Sequence, residues 1–237
     1  QRAQGLGTEN AFVVLAEVNQ LIREGRDIIS FCIGQPDFPT PTNIQDAGVK
    51  AIREGKHGYT ASAGIPELRQ AAADYLNRTR TGIKVDPNDV VVAAGAKPFI
   101  GYSILSVTDY GAGDEVIYPV PGFPIYESQI KANGAVGVPI FLREDRNFGF
   151  DPQELVNKIT PRTKLLILNS PHNPTGGIIP RKDLEAIAEI LRKHPQIWIF
   201  ADEIYGRLIY EGEFVSIASL PGMQERTIIY DGCSTTW

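Results

Sequence analysis

The chain has 237 residues, 43% hydrophobic and 22% charged, which is ordinary for a globular protein and leaves room for one substantial core. A formal net charge of −5 leaves no basic face to advertise nucleic acid or an anionic membrane, and no apolar run approaches the roughly 20 residues that cross a bilayer. The two cysteines, Cys32 and Cys233, lie far apart; this argues against a disulfide framework or a metal site and suits a reducing, cytoplasmic setting.

The chain opens on Gln1 without a methionine and is expected to be trimmed. Phe12, Leu15, Ala16, Asn19 and Ile22 follow helical spacing until Gly25 stops the pattern. After an extended stretch over Ile28 to Ile33 and the turn-rich Gly34 to Pro39, a second helix is predicted from Thr42 to Arg53. A third opens at Pro66, with Ile65, Leu68, Ala72, Tyr75 and Leu76 as its apolar stripe. Val90 to Ala94, Glu115 to Tyr118, Ala135 to Ile140, Lys164 to Leu168, Ile197 to Ala201 and Thr227 to Tyr230 are strand candidates. Helical patterns follow Lys97 and cover Leu184, Ile187, Ala188 and Leu191. Strands apolar on both faces and separated by helices predict an α/β fold, a mostly parallel sheet covered on both sides. With only seven residues after Tyr230, the sheet is expected to be cut short.

Ligands of such sheets sit outside the carboxyl ends of the strands, so the residues just past each strand carry the functional reading. Gly95-Ala96-Lys97 opens a helix, and its backbone N–H groups suit a phosphate, although a plain strand-to-helix turn would look the same. Pro119 to Tyr126 form a stiff loop that holds Phe123 at the sheet rim, either as a stacking platform or as a core residue. Asn169 to Gly176, with two X-Pro bonds and a glycine, form a rigid loop able to aim the Asn173 amide at a ligand oxygen or to cap the next helix. Asp202 emerges from a buried strand and needs a cation or strong donors to meet it. Either a protonated ring nitrogen or a local arginine such as Arg207 would serve, and Tyr205 lies three residues on.

Together these segments resemble the fold-type I aminotransferases, the aspartate aminotransferase family, from about Ile28 to Trp237. The most specific matches are Asn173-Pro174-Thr175-Gly176 and Ala201-Asp202-Glu203-Ile204-Tyr205. Gly34-Gln35-Pro36-Asp37-Phe38, Tyr59-Thr60 and Gly64 to Arg69 add matches in the right order. The resemblance implies pyridoxal phosphate as cofactor, with Ala96 and Lys97 offering backbone N–H groups to its phosphate and Phe123 stacking on its ring. Asn173 and Tyr205 would bond the phenolate oxygen, and Asp202 would pair with the ring nitrogen. Gly34 and Asn173 would meet the substrate, an amino acid or 2-oxo acid, and Ser234 would touch the phosphate. Tyr59 would reach the site of a neighbouring copy, which implies a homodimer. Residues 1–29 would form part of a small domain or dimer arm, and 30–237 an incomplete cofactor domain.

The sequence departs from the family where Ser-Lys-Thr is expected after the last strand. It reads Cys233-Ser234-Thr235-Thr236, so Thr235 stands at the position of the lysine that holds the cofactor covalently, and a hydroxyl cannot condense with an aldehyde. As it stands the chain is expected not to turn over. Three readings remain open: an aminotransferase, another enzyme of the same cofactor class such as a carbon–sulfur lyase or a synthase, and a lysine-less module that binds the cofactor without catalysis. A hydrolase is disfavoured because no G-x-S-x-G elbow exists. A dehydrogenase is disfavoured because Gly111-Ala112-Gly113 precedes a strand rather than opening a helix.

Overall fold

The computed structural model describes residues 10–34 and 38–233. Its centre is a sheet of five strands: β1 (Glu115–Val120), β2 (Val136–Phe141), β3 (Thr163–Asn169), β4 (Trp198–Asp202) and β5 (Thr227–Tyr230). All four pairings are parallel and the order is β2-β1-β3-β4-β5. The chain adds β2 outside β1, then crosses back to place β3 on β1's other side. The direction of strand addition therefore reverses between β1 and β3, the kind of place where open sheets leave a crevice.

Alternation along the strands feeds two cores. Ile117, Leu166, Leu168 and Ile199 face α6 (Pro152–Lys158) and α7 (Arg181–Arg192), burying Leu155, Leu184, Ile187 and Leu191. Val116, Leu165, Ile167 and Phe200 face α4 (Pro98–Val107) and α5 (Ile125–Ala132), burying Ile100, Ile104, Tyr126 and Ile130. Each large aliphatic side chain removed from water this way contributes about 1.5–3 kcal/mol. Asp151 caps α6 by accepting from the Gln153 N–H at 2.9 Å.

One strand candidate differs from expectation. Val90 to Ala94 joins no ladder; Val92 donates to Ala63 O at 3.0 Å and Val91 remains 56% exposed. An apolar extended run becomes a strand only where a partner edge meets it, and no described strand does so here. The N-terminal helices α1 (Asn10–Arg23) and α2 (Thr42–Arg53) contain no buried residue, and α3 (Pro66–Thr79) buries Ala73 alone. Among the described residues no helix is long and apolar enough to cross a membrane.

Candidate functional site

At the carboxyl ends of the strands lies a cavity of about 670 Å³. It brings together seven of the residues singled out from the sequence: Gly34, Ala96, Lys97, Phe123, Asn173, Asp202 and Tyr205. They arrive from five separate stretches of chain, each a turn that follows an apolar run. Gly95 has a φ of 81°, a left-handed turn that glycine enters without steric cost, and it leads directly to Ala96 and α4. Tyr59 is fully exposed and lines no part of this cavity. Ser234 and Thr235 lie outside the described residues. Gly232, just before them, runs past Ala96: a Cβ there would meet the Ala96 Cβ at 3.3 Å.

Asp202 sits 4% exposed at the cavity floor. Tyr126 Oη donates to its Oδ2 at 2.5 Å and the Ile204 N–H to its Oδ1 at 3.3 Å. Among the described residues no guanidinium or ammonium pairs with it. Burial raises the carboxyl from its ordinary 3.8 to about 6; the Tyr126 and Ile204 bonds pull it down, while Glu203 and Asp231 push it up. The local arginine considered from sequence, Arg207, lies elsewhere, with its guanidinium carbon 5.7 Å from the Tyr75 ring centre. Glu203 is the acid that takes a guanidinium, from Arg80 Nε at 3.0 Å.

Phe123 lines the cavity and packs on the core beneath it, so both sequence readings hold at once. Its ring meets Tyr126 edge to face, at 5.8 Å between centres and 84° between planes. Lys97 holds its ammonium 5.7 Å from both the Phe12 and the Phe123 ring centres. The Asn173 loop is fixed from below. Asn169 Oδ1 accepts from the Asn173 N–H at 2.9 Å, and Asn169 Nδ2 donates to the carbonyls of Pro171 and Asp202 at 3.1 and 3.2 Å.

His172 is buried in the same loop, with Nδ1 2.8 Å from Thr175 Oγ1. Its Nε2 faces the Pro121 carbonyl without reaching hydrogen-bond geometry. Burial holds this imidazole neutral, down at about 4. Its Nδ1 contact lies within its own loop, and it does not line the cavity.

Over residues 26–237 the chain matches the model of the family "Aminotransferase class I and II". The chain belongs to that family. It is 38% identical over 231 residues to an aspartate/prephenate aminotransferase of Cereibacter sphaeroides, covering 94% of this chain and 57% of that protein. It is 41% identical over 227 residues to an asparagine–oxo-acid transaminase of Streptococcus mutans, covering 94% and 56%. The fold superposes on Thermus thermophilus aspartate aminotransferase with maleate at a TM-score of 0.92 and 35% identity, over 98% of this chain and 59% of that one. The chain thus spans a little over half the length of these relatives. Aminotransferases of this family use pyridoxal phosphate.

Three residues of the site went unassigned in the sequence. Tyr126 belongs to the loop quoted for Phe123 and reaches Asp202; its burial beside that carboxylate drives the phenol well up. Tyr230 ends β5 on the cavity wall, its phenol pushed up by burial and by Asp202. Asn169 organises the loop that it opens. A strand-terminal polar or aromatic residue is the available signal for Asn169 and Tyr230, and it is weak without a register; Tyr126, in the first turn of α5, carries no such signal. The donor set fits the family's cofactor. A carboxylate with no cationic partner among the described residues lies on the floor, a small-residue helix start on one wall, an aromatic ring on another and an amide opposite.

Proposed function

We propose that this cavity binds pyridoxal 5′-phosphate and that the protein of which this chain is part moves an amino group between an amino acid and a 2-oxo acid. The observation that carries the reading is Asp202: a buried carboxylate with no cation among the described residues, which a protonated pyridine nitrogen would satisfy. Asp202 holds a proton on that nitrogen, and Tyr126 and the Ile204 N–H hold the carboxylate in line. The Ala96 and Lys97 amides, at the start of α4, receive the phosphate. Phe123 would stack on the face of the pyridine ring and keep water from it. Asn173 and Tyr205 donate toward the phenolate oxygen, and Gly34 presents its backbone to the substrate carboxylate. When bound, the cofactor supplies an electron sink for the carbon that loses its proton.

With Thr235 at the lysine position the chain offers no amine at that point, so it binds the cofactor non-covalently and does not turn over by itself. Thr235 is thus the residue that favours the last of the three readings left open by the sequence, a cofactor-binding module without catalysis. A homodimer in which Tyr59 reaches the neighbouring cavity, a division near residue 30 and a cytoplasmic setting belong to the same proposal. The test is a titration of the 237-residue chain with pyridoxal 5′-phosphate, followed by absorbance and equilibrium dialysis. Saturable one-to-one binding that is lost in Asp202→Ala supports the reading. Binding that is absent, or indifferent to Asp202, defeats it.

A further inference from the structure

β4 and β5 end with Asp202 opposite Tyr230. One step on, Glu203 and Asp231 follow side by side, joined by the backbone bond from Glu203 N–H to Tyr230 O at 3.0 Å. Like charges facing each other across neighbouring strands repel, and burial pushes both carboxyls upward. Arg80, at the end of α3 and 3% exposed, enters between them. Its Nε donates to Glu203 Oε2 at 3.0 Å and its Nη2 to Asp231 Oδ2 at 2.7 Å. The rings of Tyr75 and Phe214 lie 5.4 and 5.6 Å from the guanidinium carbon, and Ser216 donates to the other oxygen of Glu203. The fork therefore pins two strand ends whose own charges would part them, immediately beyond the pair that faces the cavity.

We propose that Arg80 is a positioning residue: by tying Glu203 to Asp231 it holds the ends of β4 and β5 at the spacing that presents Asp202 and Tyr230 to the cavity, and it balances two carboxylates beside Asp202. Its value to a cofactor rests on the function proposed above; its effect on Asp202 does not. Asp202 is faced by the phenols of Tyr126 from α5, Tyr205 beyond β4 and Tyr230 of β5. The Asn169 side chain of β3 reaches its backbone, and Glu203 and Asp231 act on it as like charges.

The experiment is a pH titration of the full chain carrying ¹³Cγ-labelled aspartate, without cofactor, with the Asp202 resonance identified by its loss in Asp202→Asn. Arg80→Gln is expected to raise the Asp202 midpoint by about one unit, because two neighbouring anions lose their cation; Arg80→Lys recovers part of that shift. Asp231→Asn removes one repelling anion and lowers the midpoint, which supplies a result of opposite sign should Arg80→Gln not fold. A folded Arg80→Gln chain with an unmoved Asp202 midpoint overturns the proposal, as does Asp231→Asn leaving it unmoved or raising it. Since no cofactor is added, failure of the pyridoxal phosphate titration would sink the function proposed above while this measurement still decides on Arg80.

Discussion

Helices α2 and α7 are the same length, 12 residues, and both place apolar residues on one face, yet their surroundings could hardly differ more. In α7, Leu184, Ile187, Ala188 and Leu191 are buried against the sheet. In α2, Ile44, Val49 and Ile52 are 40%, 45% and 74% exposed. The difference extends to the regions around them. From Asn10 to about residue 62 almost every side chain meets solvent, whereas β1, β3 and β4 are nearly closed to it. Periodicity reports that a helix has a face to bury; it does not report where the covering surface comes from. For α7 it comes from neighbouring elements of this chain, and for α2 no described element provides it.

The largest effect expected from that contrast is in the core under α7. Ile187→Ala should lower unfolding free energy by about 2–5 kcal/mol in urea titrations. A loss below about 1 kcal/mol would mean that the sheet and α7 are not one cooperative unit. Next comes Asp202, where cavity and stability pull against each other. Its carboxyl, raised from 3.8 to about 6, contributes stability that is fully present below about 4 and lost as pH rises through about 6. Asp202→Asn escapes that loss, so it should stabilise the cofactor-free chain by about 1–3 kcal/mol at pH 7 and by nothing below pH 4. Equal stabilities at pH 7 would show that Asp202 is better solvated than its burial implies.

His172 runs the other way within the same pH range. Its neutral ring, held down at about 4, favours the fold above pH 6.5, and that contribution is lost on acidification. His172→Asn should flatten the acid limb of the stability curve, whereas Asp202→Asn steepens it. Parallel curves for the two variants would contradict this opposition. The smallest effect is expected at the uncovered helix: Ile52→Ala should change stability by less than about 0.5 kcal/mol. A larger loss would show that α2 is packed in solution, by a second copy for instance, and sedimentation would reveal one.

Much of the sheet could be read from sequence because buried parallel strands announce themselves as continuous apolar runs. Lys164 to Leu168 became β3 with one residue added at each end, and Thr227 to Tyr230 matched β5 residue for residue. Val90 to Ala94 shows the limit, since the same apolar signal without an edge to pair with stays outside the ladder. The cavity was legible to the same degree. Residues that directly follow strands, such as Asp202, could be collected by position. Partners that come from afar could not. Nothing local to Asp202 or Glu203 points to Arg80, 123 positions from Glu203; the nearer Arg207, one of two alternatives weighed for Asp202, lies beside Tyr75 instead. Tyr126 needed the three-dimensional turn of the Phe123 loop before its phenol could be seen against the carboxylate.

Asn10, Ala11 and Phe12 line the cavity, although the helix they begin is packed against nothing that buries it. One wall of the hollow therefore belongs to a helix with no buried residue. Any guest touching that wall lends the helix a share of its own binding free energy, of size RT ln(1 + [L]/Kd). Amide protons of α1 should consequently exchange more slowly as occupancy rises, making the first helix a built-in gauge of how full the hollow is.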